Sequence, residues 1–420
     1  VFIEQWKGWG MSEGVPERWQ LRRLDDVAKI IMGQSPSSET YNTERNGLPF
    51  FQGKADFGNH YTKTRYWCSE PTKIAPANSI LFSVRAPVGD INITQQKCCI
   101  GRGLSAIIGN SIIQPFLYQN LQYAKSQFQL ISQGSTFEAV NGSDLKEFRI
   151  LTPPLPEQKK IAAILTSVDE VIEKTEAQIN KLQDLKKAMM QTLLTEGIGH
   201  TEFKDSPVGR IPKEWKVSRL EALLVNVDSP MRSGPFGSAL LKKELVSQGN
   251  PLLGIDNVHI EKFVKNYKRF VTDDKFEELK RYAVREDDVM ITIMGTVGRS
   301  CVVPKNVGKA LSSKHVWTMT FDKDKYEPEL ICWQLNYATW VLSQFKNESQ
   351  GGVMDSINSK TLKNLLLPNP PLEEQAVIAT NHKSISHVIE EKQTTLVSLI
   401  SLKKSLMQDI LTGKVRVKVN

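Results

Sequence analysis

The chain of 420 residues contains no run of 18 or more apolar residues, so no membrane-spanning helix is expected. It also lacks a basic start followed by an apolar stretch, so no secretory signal is read. Val1–Gly10 precedes Met11, which is a candidate start with the first ten residues an upstream extension. Cysteine is scarce and odd in number. Cys68, Cys98, Cys99, Cys301 and Cys332 form no C-x-x-C, and adjacent Cys98 and Cys99 are poorly placed to chelate one metal. That usage excludes a disulfide framework and points to a reducing, cytoplasmic compartment with buried free thiols. The six histidines do not cluster, and His382 and His387 lie five apart, off one helical face. No metal site is expected.

What remains is ordinary for a globular protein: 40% apolar and 24% charged residues, on a length that predicts about two to four domains. The net charge of +8 and the pI of about 9.0 favour a polyanionic partner, while also being compatible with a merely basic protein.

The strongest feature is internal repetition. Ser132-Gln-Gly-Ser-Thr-Phe-Glu-Ala-Val-Asn141 resembles Ser349-Gln-Gly-Gly-Val-Met-Asp-Ser-Ile-Asn358. Pro153-Pro-Leu-Pro-Glu-Gln158 then resembles Pro370-Pro-Leu-Glu-Glu-Gln375. The offset of 217 residues, as from Glu157 to Glu374, persists through Leu194-Thr195 and Leu411-Thr412. The starts repeat as well, Pro16-Glu-Arg-Trp19 against Pro212-Lys-Glu-Trp215, but at an offset of 196. The second copy is therefore 21 residues longer in the interval where the two differ, 217 against 196. The unit that repeats has one variable part and one nearly fixed part.

The fixed part reads as a long helix. Between Glu157 and Leu194 there is no glycine or proline, and apolar positions recur in a heptad rhythm: Ile161, Leu165, Val168, Ile172, Thr175, Ile179, Leu182, Lys186, Met189, Leu193. The second seam runs Ile378, His382, Ile385, Ile389, Lys392, Leu396, Leu399, Lys403, Leu406, Ile410 in the same register. A helix of about 38 residues is about 57 Å long and would expose its seam alone. Pairing the two seams in an antiparallel coiled coil covers both; a homodimeric coiled coil is the alternative. Lys186 and Lys403 break the seams at equivalent places, where they are expected to set register. The expected fold is α+β: two mixed α/β domains related by a pseudo-twofold and joined by two long helices. The corresponding divisions are 1–152, 153–199, 200–369 and 370–420.

In the variable parts, Ser79–Val84, Asp288–Ile293 and Val316–Phe321 read as strands, and the first two lead into glycine-bearing turns. Gln114–Ile131 and Pro328–Phe345 read as amphipathic helices. Loops on such a frame are where nucleic acid would be gripped, with base edges read by donors and acceptors and phosphate held by Lys and Arg. Candidates are Lys54, Arg65, Arg85, Arg102, Gln133, Ser135 and Thr136 in the first part, and Arg299, Lys305, Lys314, His315 and Gln350 in the second. Each is also what a solvated surface residue looks like. Lys414–Val419 alternates charge and valine as an edge strand would, and is expected to return to the first domain and close a near-circular arrangement.

No loop suggests an S-adenosylmethionine pocket, and there is no Walker A motif. Asn369-Pro-Pro-Leu372 resembles the Asn-Pro-Pro-aromatic motif of adenine methyltransferases but is rejected as one: its last residue is not aromatic, its counterpart is Thr152-Pro-Pro-Leu155, and it leads directly into the long helix. Glu278-Leu-Lys280 is too common a pattern to imply a nuclease. No site for bond-making chemistry is read, so the chain is expected to be no enzyme.

The duplicated Pro-Pro-Leu-x-Glu-Gln lead-in, the helices ending in Leu193–Gly197 and Ile410–Gly413, and the repeated Pro-x-x-Trp starts resemble the specificity subunit of type I restriction–modification systems over nearly the whole chain. The resemblance implies that each variable domain reads one half of a split, asymmetric target on double-stranded DNA. It implies helices that act as a ruler and dock two methyltransferase subunits, which carry S-adenosylmethionine and methylate adenine. Motor–nuclease subunits using ATP and Mg would cut DNA in the full complex, and no cofactor is expected in this chain. Base-contacting residues vary by design in that family, so none transfers. Competing readings are a homodimeric coiled-coil DNA-binding regulator, a scaffold without a DNA role, and a methyltransferase acting alone.

Overall fold

The computed structural model describes residues 15–133, 139–348 and 357–419. They fall into two compact units, residues up to 179 with those from 392 onward, and residues 180–391.

Unit 1 begins with β1 (Gln20–Arg23), α1 (Leu24–Val27) and β2 (Ala28–Met32). There follow β3 (Tyr41–Asn42), β4 (Leu48–Phe51), β5 (Tyr66–Cys68), β6 (Ile74–Ala75), β7 (Ile80–Ser83), β8 (Ile91–Ile93), β9 (Cys98–Ile100) and β10 (Leu104–Gly109). Then come α2 (Gln114–Tyr123), α3 (Lys125–Gln133), α4 (Gly142–Glu147), β11 (Arg149–Thr152) and the first long helix, α5 (Leu155–Leu193). One sheet has the order β2-β10-β7-β8 and is antiparallel. A second, β3-β5-β4-β9-β6, contains the parallel pair β4/β9. The strand β7 is buried at all four positions, which is why Ile80, Leu81 and Phe82 form a continuous apolar run rather than an alternation.

Unit 2 contains β12 (Phe203–Lys204), β13 (Ile211–Pro212), β14 (Lys216–Arg219), β15 (Met231–Ser233), β16 (Asn250–Leu253), β17 (Val258–His259), β18 (Lys262–Phe263) and β19 (Phe270–Val271). Next are α6 (Asp273–Glu278), β20 (Val289–Thr292), β21 (Ser300–Val302), β22 (Leu311–Ser312) and β23 (Val316–Met319). The unit continues through α7 (Pro328–Tyr337), α8 (Thr339–Glu348), α9 (Ser359–Asn364) and β24 (Leu366–Asn369) into the second long helix, α10 (Leu372–Leu411). The order β15-β23-β20-β21 repeats the first sheet of unit 1, and the parallel pair β16/β22 repeats β4/β9. The pair β14/β24 repeats β1/β11, register included: Lys216↔Asn369 against Gln20↔Thr152.

The sequence repeats are the joints of this frame. Trp19 Nε1 donates to Glu157 Oε2 at 3.2 Å, and Trp215 Nε1 donates to Glu374 Oε2 at 2.8 Å. The next residue, Gln158 or Gln375, accepts the backbone N–H of Ile113 or Glu327, just ahead of α2 or α7, and donates to the Pro153 or Pro370 carbonyl. Asn141 and Asn358, which close the Ser-Gln-Gly repeats, are the N-caps of α4 and α9. Asn369 spends its amide on Ser218 Oγ and Gln375 Nε2, which accounts structurally for its place before the two prolines.

All ten expected seam positions of each long helix are buried or half-buried. In unit 1, Ile161 and Leu165 of α5 share a core with Met407, Ile410 and Leu411 of α10. In unit 2, Met190 and Leu194 of α5 share a core with Ile378 and Ala379 of α10. Within each unit the start of one helix lies with the end of the other, so the two run antiparallel. Each fully buried leucine or isoleucine contributes roughly 1.5–3 kcal/mol.

Two expectations are corrected and one is extended. The seam lysines bond into the globular parts, and Lys403 also bonds across to the first long helix. Lys186 reaches Glu261 on the β17–β18 turn at 2.8 Å, and Lys403 reaches Gln122 of α2 at 2.6 Å and Asp169 of α5 at 2.5 Å. A buried ammonium needs such acceptors, and they lie where the helix meets its domain. The tail from Lys414 returns to unit 1, but not as a strand. Arg416 bonds Glu157 at 2.6 and 2.9 Å and the Glu17 carbonyl at 3.1 Å, and Val417 packs on the core. Finally, each amphipathic helix is two, α2/α3 and α7/α8. The breaks at Ala124 and Ala338 let Phe128 and Val341 also turn into the core.

Candidate nucleic-acid interface

Four chain segments meet at one edge of unit 1. The Gly101 N–H donates to the Phe51 carbonyl at 2.8 Å, Val84 N–H to Gly103 at 3.0 Å, and Gly33 N–H to Leu104 at 2.9 Å. The exits of β2, β4 and β7 are thereby pinned around the Gly101–Gly103 turn between β9 and β10. The backbone N–H of Arg102 adds a bond to Ser35 Oγ at 3.3 Å. Gln52, Lys54, Ser83, Arg85 and Arg102 line a pocket of roughly 230 Å³ between these loops. Glycine is needed at position 89, where φ is +87°, to turn the chain back after Arg85.

Three of the sequence candidates, Lys54, Arg85 and Arg102, are thus brought together. They are not equally available. Lys54 bonds Asp90 at 2.8 Å, and Lys125 bonds the other oxygen at 2.6 Å. Burial opposes ionisation of Asp90, but the bonds from Lys125 and Lys54 outweigh it and hold the carboxyl below its ordinary range. Arg85 and Arg102 are exposed and form no ion pair among the described residues. Arg65 is committed to Asp56, at 3.0 and 2.6 Å. Asp56 in turn accepts the backbone N–H of Gln52, so Arg65 braces the pocket wall. Gln133 is exposed at the end of α3, and Ser135 and Thr136 lie outside the described residues. The described residue that follows them, Ala139, bridges to Arg85.

Unit 2 repeats the loop frame with one bond shifted. Ser313 N–H donates to the Leu253 carbonyl at 2.8 Å and Ile293 N–H to His315 at 3.1 Å, as Gly101 and Val84 do in unit 1, whereas Gly234 N–H donates to Ser313 at 3.1 Å, the Gly101 position, rather than to the Leu104 position. Ser83 N–H to Asp90 and Thr292 N–H to Arg299 close the same turn, and Gly298 has φ +90° where Gly89 has +87°. These bonds put Met294 where unit 1 has Arg85, and Lys314 where it has Arg102. Lys314 is exposed and His315 half-buried. Burial, followed by Lys314 and Arg269, pushes the His315 imidazole toward its neutral form. Arg299 is half-buried beside the turn, its N–H donating to Thr292 Oγ1. Lys305 is exposed beyond β21, at the opposite end of β20 from Met294, and does not join the group. Gln350 lies outside the described residues. Sequence reasoning missed Gln52, Ser83, Ile255, Met294 and Phe236 on these loops; the glycine-bearing turns after the apolar strands were the available signal.

No group of three or more His, Cys, Asp or Glu able to hold a metal occurs among the described residues, and no helix there is long and apolar enough to cross a membrane. His382 is taken by Glu261 at 2.6 Å and His387 lies 3.3 Å from Glu391.

The doubled frame matches a known family. The model described as the type I restriction modification DNA specificity domain matches twice, over residues 16–184 and 234–397. The chain belongs to this family. The putative type I restriction enzyme MjaX specificity subunit of Methanocaldococcus jannaschii is 42% identical over 185 residues, 43% of this chain and 44% of that protein, so the match spans less than half of that relative. The type I restriction enzyme MjaVIII specificity subunit of the same organism is 26% identical over 414 residues, 96% of this chain and 94% of that one. A solved type I restriction–modification S subunit from M. genitalium has the same fold, with a TM-score of 0.58 at 15% identity, covering 96% of this chain and 98% of that chain. The two matches to the specificity-domain model fall on the two units that share the loop frame.

Proposed function

We propose that this specificity-family chain reads a split, asymmetric target on double-stranded DNA, one half with each unit, for a type I restriction–modification complex. The observation that carries this is the conserved loop frame bearing different chemistry in its two copies. Arg85 and Arg102 stand in one, Met294 and Lys314 in the other. A shared backbone with unlike side chains gives equal reach and unequal preference.

The chain itself performs no chemistry in this reading. Two adenine methyltransferase subunits carrying S-adenosylmethionine dock on the long helices, and motor–nuclease subunits using ATP and Mg join in the full complex. The helices offer suitable ground. Leu155, Leu185, Leu372 and Leu402 stay exposed at positions equivalent in the repeat, Leu185 and Leu402 by more than half their surface. The seams are covered within one chain, which leaves no matching stripe for a homodimeric coiled coil.

The test is methylation-aware sequencing of DNA modified by the chain reconstituted with its modification subunits. Two unlike half-sites separated by unread bases are expected. One continuous palindromic site would overturn the reading.

A further inference from the structure

The loop tips of unit 2 are apolar where those of unit 1 are basic. Met294 occupies the Arg85 position and is 48% exposed. Beside it lies Ile255, 37% exposed, whose Cδ1 is 3.8 Å from where a Cβ would stand on Gly295. Phe236, 59% exposed, follows Gly234, whose N–H is bonded to Ser313 on the same turn. Met294 and Ile255 thus stand together on the edge that in unit 1 carries guanidinium groups, with Phe236 exposed on an adjoining segment. The rim remains basic: Lys314 is exposed, and Arg269 sits against the Ile255 loop through its 2.7 Å bond to Asp256.

An exposed apolar cluster inside a basic rim has one fitting counterpart on duplex DNA. In the major groove, the only apolar group among the base edges is the 5-methyl of thymine, and apolar side chains read it by contact. A guanidinium instead fits the paired acceptors of guanine.

We propose that unit 2 recognises its half-site through thymine 5-methyl groups, contacted by Met294 and Ile255, whereas Arg85 and Arg102 make unit 1 a guanine reader. This rests on the DNA-reading function proposed above. Lys314, exposed on the same turn, grips phosphate at the rim.

The experiment uses the complex with its modification subunits and a duplex bearing the target that methylation sequencing reveals. Arg102→Ala, which relaxes one half, assigns the other half to unit 2. Each thymine is then replaced by deoxyuridine, which removes the methyl and keeps the pairing. In the half read by unit 2, affinity is expected to fall about fourfold for each contacted methyl, the effect of burying one methylene-sized group. The double variant Met294→Ala with Ile255→Ala should bind thymine and uracil duplexes alike. Uracil in the half read by unit 1 should be silent. The proposal is overturned if uracil is tolerated throughout the half read by unit 2. It is also overturned if the double variant loses its modification subunits rather than its base preference. Absence of any sequence-selective binding would instead sink the DNA-reading function itself.

Discussion

Lys186 Nζ lies 2.8 Å from Glu261 Oε2, and the same carboxylate receives His382 Nε2 at 2.6 Å and the Tyr337 hydroxyl at 3.1 Å. One acidic residue on a turn of unit 2 therefore ties both long helices and α7 to one point. Burial opposes the charge on Glu261, but His382 and Lys186 outweigh it and lower its pKa to about 2. A depressed carboxyl stabilises the fold fully above its unfolded value, and that contribution is lost as pH falls toward the folded value. Acid unfolding of unit 2 is expected to develop between pH of about 4.5 and about 2. Lys186→Met should lower stability by about 2 kcal/mol and move the acid limb to higher pH, because Glu261 then holds its charge less firmly. Urea titrations across that range check both effects; an unchanged acid limb would count against the pairing.

Arg416 and His200 stand three residues beyond Gly413 and Gly197, and each holds the glutamate at the start of the other helix. Arg416 also lies over the Trp19 ring, with its guanidinium carbon 5.7 Å from the centroid. Arg416→Ala should cost unit 1 about 1 kcal/mol, a fall of about 3 °C in melting temperature. Its guanidinium is partly exposed, so solvent screening limits the loss. Arg416→Lys should recover only part of it, as an ammonium cannot reproduce the two-pronged bond. Calorimetry on the full chain and both variants decides this.

The frame was legible in the sequence because repetition exposes it. Trp19 and Trp215, Glu157 and Glu374, and Asn141 and Asn358 recur since each closes the same bond in each copy. The heptad seams were legible at every position because burial along a long helix repeats with its turn. The reading edge was only half legible. Arg85 and Met294 share a place but no chemistry, so only the hydrogen bonds of Val84 and Ile293 reveal that they correspond. The roles of Lys186 and Lys403 were hidden for another reason: Glu261 and Gln122 are distant in sequence and non-equivalent in the repeat.

Placement and availability are separate properties of the three basic residues around the unit 1 pocket. Arg102→Ala should cost about 1–3 kcal/mol in binding and relax preference at one position of one half-site. Lys54→Ala should do much less, because Asp90 already holds its ammonium. Lys314→Ala should weaken all sequences alike and reduce the slope of log affinity against log salt by about one. Equal losses for Lys54 and Arg102 would contradict the assignment.

The five thiols are all free and buried. Burial raises Cys98 to about 11 and Cys332 to about 12, so neither presents thiolate near neutral pH. A thiol-reactive chromophore at pH 8 should label the folded chain slowly and all five positions after unfolding. Rapid labelling of the native chain would show that the cores of the two units open far more readily than their packing implies.

Leu185 and Leu402 occupy equivalent positions one residue before the seam lysines, and both face outward, 56% and 51% exposed. Neither contributes to the cores described above, so Leu185→Glu or Leu402→Glu should leave melting within about 0.5 kcal/mol of the parent chain. If the helices dock two modification subunits, a charge placed on an apolar contact should instead weaken assembly by about 2 kcal/mol or more. Because Leu402 belongs to unit 1 and Leu185 to unit 2, each variant should lose one of two bound subunits. Mass measurement of the assembled complex distinguishes the outcomes. Loss of one subunit per variant places a docking site on each unit, whereas full retention with both variants combined would move docking off this face of the helices.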